Sequence, residues 1–372
     1  MSGRPAGALA GIAMILLLAA PAAAEVQATP GAPAMRATAV AQRAAFAVPR
    51  PSVPLRDVVR QASGAAGARI AATASSERYP INDGSGATIA VGVSADCAQE
   101  CDAANPQAIA DTIGTFIHGP EVSLLTVQLD TPFELGFDCG FEAQSCYFGG
   151  ENKIVLSGDD DPAPDTASRE FVLAHEYGHH VAQHRDMPAP FPAAINWGPE
   201  RWSSVEHVCQ GHRAGALFPG DEGSHYYEDP GEAFAESFAF NRFPEAAVKW
   251  AWAPALHPTA ASLAALRRDT LHPWTARHSL TVEGRVPKSG AVVQEFRTPF
   301  DGRVSIGPVG EPGLGYRLAI RNQSGHLLRS SREGVSFRHR LDYTVCGQTR
   351  LRVAVQAAGK PGKRFRLTVQ RP

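Results

Sequence analysis

Apolar residues recur along this chain with two different periods, and the change of period divides it. Between about 80 and 275 the two are mixed. Ile89, Val91 and Val93 alternate with small neighbours, Leu125, Val127 and Leu129 with polar ones, and both runs predict half-buried strands. Lys153-Ile154-Val155-Leu156 predicts a third, short strand. Asn105-Pro106 opens a predicted helix with Ile109, Ile113, Phe116 and Ile117 on one face, stopped by Gly119-Pro120. Phe171-Val172-Leu173-Ala174 and Val181-Ala182 bracket a second helix, half buried in a core. Asp229 before Pro230 predicts an N-cap and a helix start, with Phe234 and Phe238 as a core-facing stripe. The small Ala235 and Ala239 let another helix approach that one closely.

From about 279 the period becomes strictly two. Tyr316, Leu318 and Ile320 alternate with Arg317 and Arg321, Leu351, Val353 and Val355 with Arg350 and Arg352, and Phe365, Leu367 and Val369 with Arg364 and Arg366. Such runs, joined by short Gly-rich connections, predict antiparallel strands with one buried face, and a stretch of this length suggests a β-sandwich. Tyr343-Thr344-Val345-Cys346 is a further short strand, stopped by Gly347. The expected fold class is α+β over 79–278, a small sheet packed on helices, followed by an all-β sandwich domain over 279–372.

The first 78 residues show neither period. Arg4, the apolar run Ala6 to Ala20 and the small residues Ala22-Ala23-Ala24 have the three parts of an export signal over 1–24. Residues 25–78 follow as an Ala/Pro-rich linker or pro-segment. The apolar run is short for a membrane span and no other suitable stretch follows, so a soluble protein outside the cell or in a periplasm is expected, with no transmembrane segment. Six cysteines in an exported chain fit three disulfides. Cys139 and Cys146 would close a tight hairpin-like loop and Cys97 would pair locally with Cys101, leaving Cys209 for Cys346. Neither short pair has a second Cys/His pair at metal spacing, which argues against cysteine as a metal ligand.

Charge sharpens the division. Residues 279–372 hold 17 Lys+Arg against 6 Asp+Glu, a net of +11, so the rest carries −13 and the whole only −2. The arginines either keep the outer strand faces soluble or hold the protein on an anionic cell-envelope surface. Nucleic acid is disfavoured as a partner, since the chain is exported and no aromatic residues interleave with the basic ones.

His175-Glu176-Tyr177-Gly178-His179 is the stretch that carries chemistry. Histidines at i and i+4 project from one face of a helix and can hold one Zn²⁺, with Glu176 placed to take a proton from a metal-bound water. A catalytic zinc site keeps three protein ligands and one open position. Position 185 is Arg, so a third histidine ten positions after the first is missing, and His184 falls on another face. Glu232 and Glu236, one turn apart on the helix that starts at Pro230, are the two candidates. Spacing leaves both open, because Glu232 also stands where it would close a capping box with Asp229. His180, His184, His207 and His212 have no metal spacing and are expected at the surface or as supporting groups. The segment 186–225, with Trp197, Trp202 and Cys209, must bridge the two ligand helices and is long enough to wall a cleft and set specificity.

At these residues the chain resembles the gluzincins, HExxH peptidases whose third ligand is a Glu on a second helix. The phrase Pro230-x-Glu232-x-Phe234-Ala235-Glu236-x-Phe238 is most similar to the anthrax lethal factor type. The resemblance implies a zincin-like metallopeptidase domain with Glu232 as metal ligand and Glu236 as its support. It also implies a tyrosine just before the ligand, for which Tyr226 and Tyr227 are candidates, and an edge strand ahead of the zinc helix on which a peptide docks. Residues 279–372 resemble the pre-peptidase C-terminal domains of secreted bacterial proteases in their strand pattern and closing Phe365-Arg366-Leu367-Thr368-Val369. The expected function is that of a secreted zinc-dependent endopeptidase acting on a protein or peptide substrate. The alternatives are a zincin-fold envelope or adhesion protein that binds zinc without turnover, and a zinc hydrolase of non-peptide amides. Glu176 argues against the first, since a purely structural zinc site needs no base.

Overall fold

Alternating apolar runs become strands wherever one or both faces can be covered, and β1 (Glu77–Pro80), β2 (Thr88–Val93), β3 (Thr126–Asp130), β4 (Ser145–Phe148) and β5 (Lys153–Ser157) join in one sheet of order β1-β2-β3-β5-β4. These come from a computed structural model that describes residues 76–372 apart from 142, 160–166, 245–249, 276–277, 309–315, 332–339, 348, 358–361 and 363. The expected export signal and all but the last three residues of the expected linker lie outside the described residues. β2, β3 and β5 run parallel, with Val91 beside Val127 and Val127 beside Ile154, while β1 and β4 are antiparallel at the two edges.

Helices α1 (Cys97–Glu100), α2 (Pro106–Gly114), α3 (Pro132–Cys139) and α4 (Arg169–Gln183) are interleaved with these strands. The short α5 (Ala194–Trp197), α6 (Glu200–Val205), α7 (Val208–Arg213) and α8 (Glu222–His225) follow, then α9 (Pro230–Arg242) and α10 (Ala260–Leu271). Local chemistry starts the long ones. Asn105 accepts from Ala108 N ahead of Pro106, Ser168 accepts from Phe171 N, and Thr131 closes a capping box with Glu134. Strand alternation then assigns the faces. Tyr147, Ile154 and Leu156 join the main core with α4, whereas Cys146 and Val155 pack with Leu135 and Cys139 of α3. Helices α3 and α4 therefore cover opposite faces of the β4–β5 edge.

Two expectations are corrected here. The strand directly ahead of α4, β5, is an inner strand between β3 and β4, so the free edge beside α4 belongs to β4. The loop between Cys139 and Cys146 is not a hairpin; it links the end of α3 to β4, and the hairpin is β4–β5. The three pairings themselves, Cys97–Cys101, Cys139–Cys146 and Cys209–Cys346, are those expected.

The C-terminal region holds β6 (His278–Arg285), β7 (Ala291–Thr298), β8 (Gly302–Pro308), β9 (Tyr316–Asn322), β10 (Leu327–Ser330), β11 (Leu341–Val345), β12 (Thr349–Ala357) and β13 (Arg364–Arg371). They form two antiparallel four-stranded sheets, β10-β9-β12-β7 and β11-β8-β13-β6. Leu318, Ile320, Leu351 and Val353 of one meet Val304, Ile306, Leu367 and Val369 of the other in a single core, consistent with a sandwich. This core is separate from the one around α4.

The two regions belong to one compact unit and are joined by more than the chain. Cys209 of α7 is disulfide-bonded to Cys346, just past β11. Asp301 N donates to Ser204 Oγ at 2.9 Å, Arg303 N to Ala189 O at 3.0 Å and Arg213 Nη2 to Thr344 O at 3.1 Å. Among the described residues no helix is long and apolar enough to cross a membrane.

Candidate metal centre

The centre exists because α4 and α9 come unusually close. A Cβ on Gly178 would stand 2.7 Å from Ala235 Cα and 3.1 Å from Phe238 Cβ, so a side chain there would push the helices apart. This approach brings the α4 histidines to the α9 carboxylates. His175 Nε2 lies 3.5 Å from Glu232 Oε2, and His179 Nε2 lies 3.6 Å from Glu232 Oε1. One donor atom from each of His175, His179 and Glu232 falls within 4.8 Å of the others. Atoms bound tetrahedrally to one zinc ion at its usual bond lengths stand about 3.3 Å apart, so this nitrogen, nitrogen, oxygen set fits the ion.

Glu236, one turn on, meets the same histidine from behind. His175 Nδ1 donates to Glu236 Oε2 at 2.8 Å. An ionised carboxylate only accepts, which puts the ring hydrogen on Nδ1 and turns the Nε2 lone pair toward Glu232. The helix cap is made by Asp229, which accepts from Gly231 N and Gly220 N, both at 2.7 Å. Burial, then the neighbouring Glu232 charge, pushes the Asp229 carboxyl up to about 8, against the pull of those two amides.

Glu176 points out of α4 toward β4, where Ser145 Oγ donates to its Oε1. His175, Glu176, His179, Glu232 and Glu236 are each 1% exposed or less. His180, expected at the surface or in support, is fully buried on the sheet side of α4. Its Nε2 donates to the Glu121 carbonyl at 2.9 Å and its Nδ1 accepts from Tyr147 Oη at 3.0 Å. Burial holds that imidazole down at about 4, hence neutral, and Arg185 ties the end of α4 to Glu121 at 3.1 Å. His184 is bonded to Asn152, and His212 packs on Trp197.

Tyr226 and Tyr227 lie in a 3-10 turn just ahead of α9, and both rings pack against Trp252, at 6.0 and 6.2 Å between centroids. Trp252 in turn lies 6.1 Å from the His175 ring. Trp252 thus packs on both tyrosines and on the His175 ring. The segment 186–225 folds into α5–α8, but Trp197 and Trp202 are core residues, Trp202 set edge-on against Phe234 at 5.3 Å. Sequence reasoning missed Ser145 and Trp252. The alternation of Ser145 with Tyr147 was the signal available for the first; Trp252 carried none.

No protein-family model and no curated protein matches this chain. Among solved structures, the chain is similar to the VP2 protein of infectious bursal disease virus, as a D431N mutant in derived T=1 particles, at 12% identity and a TM-score of 0.13 over 27% of this chain and 33% of that one. The structure of the Gx strain of the same virus gives 13% identity and a TM-score of 0.13 over 27% and 35%. The chain spans about a third of the length of those proteins, and likeness at that level carries no argument about fold or function.

Proposed function

We propose that this protein is an exported zinc-dependent endopeptidase, with a zincin-like catalytic domain over 79–278 and a β-sandwich domain over 279–372. One observation carries the proposal: a buried His175, His179 and Glu232 set with zinc-like spacing, with Glu176 next to His175 in α4. His175, His179 and Glu232 would hold the ion, and Glu236 would fix the His175 tautomer. Zinc held there would supply Lewis acidity, polarising the scissile carbonyl and making an attacking water more acidic. Glu176 then receives the proton of the attacking water at Oε2 and passes it to the leaving amine. Ser145, donating to Oε1, keeps the carboxylate in that orientation. Tyr226 or Tyr227 donates a hydrogen bond to the carbonyl oxygen as negative charge builds on it. A peptide laid along the free edge of β4 would gain main-chain hydrogen bonds beside Glu176. The basic C-terminal domain would hold the protein at an anionic envelope surface.

Casein or gelatin zymography with and without a chelator tests the proposal. Clearing that chelator abolishes and zinc restores is expected, from a chain carrying about one zinc. Glu176→Gln should keep the metal and lose most of the rate. Wild-type turnover in that variant would remove Glu176 from its role; no clearing by zinc-loaded protein would favour a zinc-binding protein without turnover.

A further inference from the structure

The two outer faces of the C-terminal sheets differ. With Leu318, Ile320, Leu351 and Val353 turned into the core, the outer face of β10-β9-β12-β7 presents Arg317, Arg321, Arg350, Arg352 and Arg297, with Glu295 as its acid, ion-paired with Arg352 at 2.6 Å. Register makes this more than a basic composition. Arg350 stands directly opposite Arg297, and Arg352 directly opposite Arg321. Like charges directly opposite each other destabilise a sheet, so stability alone does not select this pairing. Between the arginines, Ala319 faces Ala354 across the strands and both are buried, which makes a low floor flanked by guanidinium groups. None of the outward positions on β7, β9 and β12 is aromatic, so the face offers no stacking platform for a base or a sugar ring.

The second sheet is less one-sided. Arg364 stands opposite Arg285 there and Arg366 is ion-paired with Glu283 at 3.1 Å, but Asp342 adds a second acid on that face where the first sheet has one.

We propose that the β10-β9-β12-β7 face binds a linear phosphate-bearing polymer. This deepens the surface-anchoring part of the proposed function by naming the face and the ligand chemistry, and does not depend on hydrolysis. Opposed residues on neighbouring antiparallel strands have Cα atoms about 4.5–5.5 Å apart, so two guanidinium groups can converge on one anionic group. A carboxylate has two oxygens and is filled by one arginine fork. An internal phosphate of a polymer also offers two non-bridging oxygens, but they diverge from a tetrahedral centre rather than sharing one planar edge, so each can accept from a separate guanidinium. Successive opposed pairs along β12 then meet successive phosphates of an extended chain.

The test uses the full-length chain and immobilised long-chain inorganic polyphosphate as the probe, with poly-glutamate and phosphatidylglycerol vesicles in parallel. Arg321→Ser combined with Arg350→Ser should weaken polyphosphate binding at least about 10-fold, and the unaltered protein should bind poly-glutamate and vesicles about 10-fold more weakly than polyphosphate. Arg285→Ser combined with Arg364→Ser removes the same charge from the other sheet and should change binding less than about 2-fold. Melting temperature checks that each variant folds. If the first double variant does not fold, Arg350→Ser alone, at an exposed position, should still lose about 3-fold or more. Equal loss from the two double variants would overturn the face assignment and leave diffuse charge. Equal binding of poly-glutamate or vesicles would overturn the phosphate chemistry and leave anchoring intact. No binding to any probe would end both.

Discussion

Glu232 and Glu236 lie one turn apart and approach the same histidine through different nitrogen atoms, His175 Nε2 and Nδ1. That difference makes their roles separable by mutation. Glu232→Ala should cut zinc affinity by orders of magnitude, since two histidines remain, whereas Glu236→Ala should weaken it by about 10–100-fold by loosening the His175 ring. Titration of both variants against a competing chelator measures this; the opposite ranking would transfer the ligand role to Glu236. The sequence made His175, Glu176 and His179 legible because i and i+4 on a helix fix a shared face. It left the two glutamates open because both project from one side of α9, and only the tertiary approach decides which faces the histidine Nε2 atoms. Ser145 and Trp252 were illegible for a related reason: each meets its partner only after separate elements pack.

At the scale of elements, the α4–α9 contact is the determinant, and Gly178 is its most sensitive point. Helix propensity alone favours Ala over Gly by about 1 kcal/mol, so an exposed helix would be stabilised by Gly178→Ala. Here overpacking should win and destabilise the protein by about 1–3 kcal/mol, with weaker zinc binding as the histidines move from Glu232. The nearest obstacle is Ala235 Cα, a backbone atom, so adding Ala235→Gly should not rescue the loss. Thermal melts of the single and double variants decide this, and a stabilised Gly178→Ala protein would mean that the helices have room. The strands of clear alternation were legible, as were the caps at Asn105 and Asp229. β4 was not, because four residues are too few to show a period, and its pairing with β5 displaced β5 from the edge. Helices α5–α8, of four to six residues, are likewise too short to show a 3.6-residue period.

At the scale of the whole molecule, the junction between the two regions holds acids whose protonation burial favours. Glu200 of α6 has no hydrogen-bond partner for either oxygen among the described residues. Burial first, then the charges of Asp301 and Asp269, push it up to about 10, with Arg201 pulling the other way. Asp301, from the C-terminal region, is raised to about 6, again chiefly by burial. The folded state therefore binds protons that the unfolded chain releases, so this contribution to stability is fullest below about 4 and declines as pH rises through 6 for Asp301 and toward 10 for Glu200. Glu200→Gln should flatten the fall in melting temperature between pH 6 and 9, measured on matched buffers. Parallel curves for the two proteins would exclude Glu200 as the cause. The sequence showed that two regions of opposite charge exist, but not that acids lie buried where they meet, since Glu200, Asp269 and Asp301 converge from distant segments. The Cys209–Cys346 bond crosses the same junction and spans 137 residues of chain. Every peptide bond between those two cysteines lies inside a closed covalent ring. A single protease nick anywhere in the ring cannot separate the part that holds the candidate metal centre from the arginine-bearing part. Limited digestion should give one band on a non-reducing gel and two only after reduction, so damage would stay hidden until the bond is reduced.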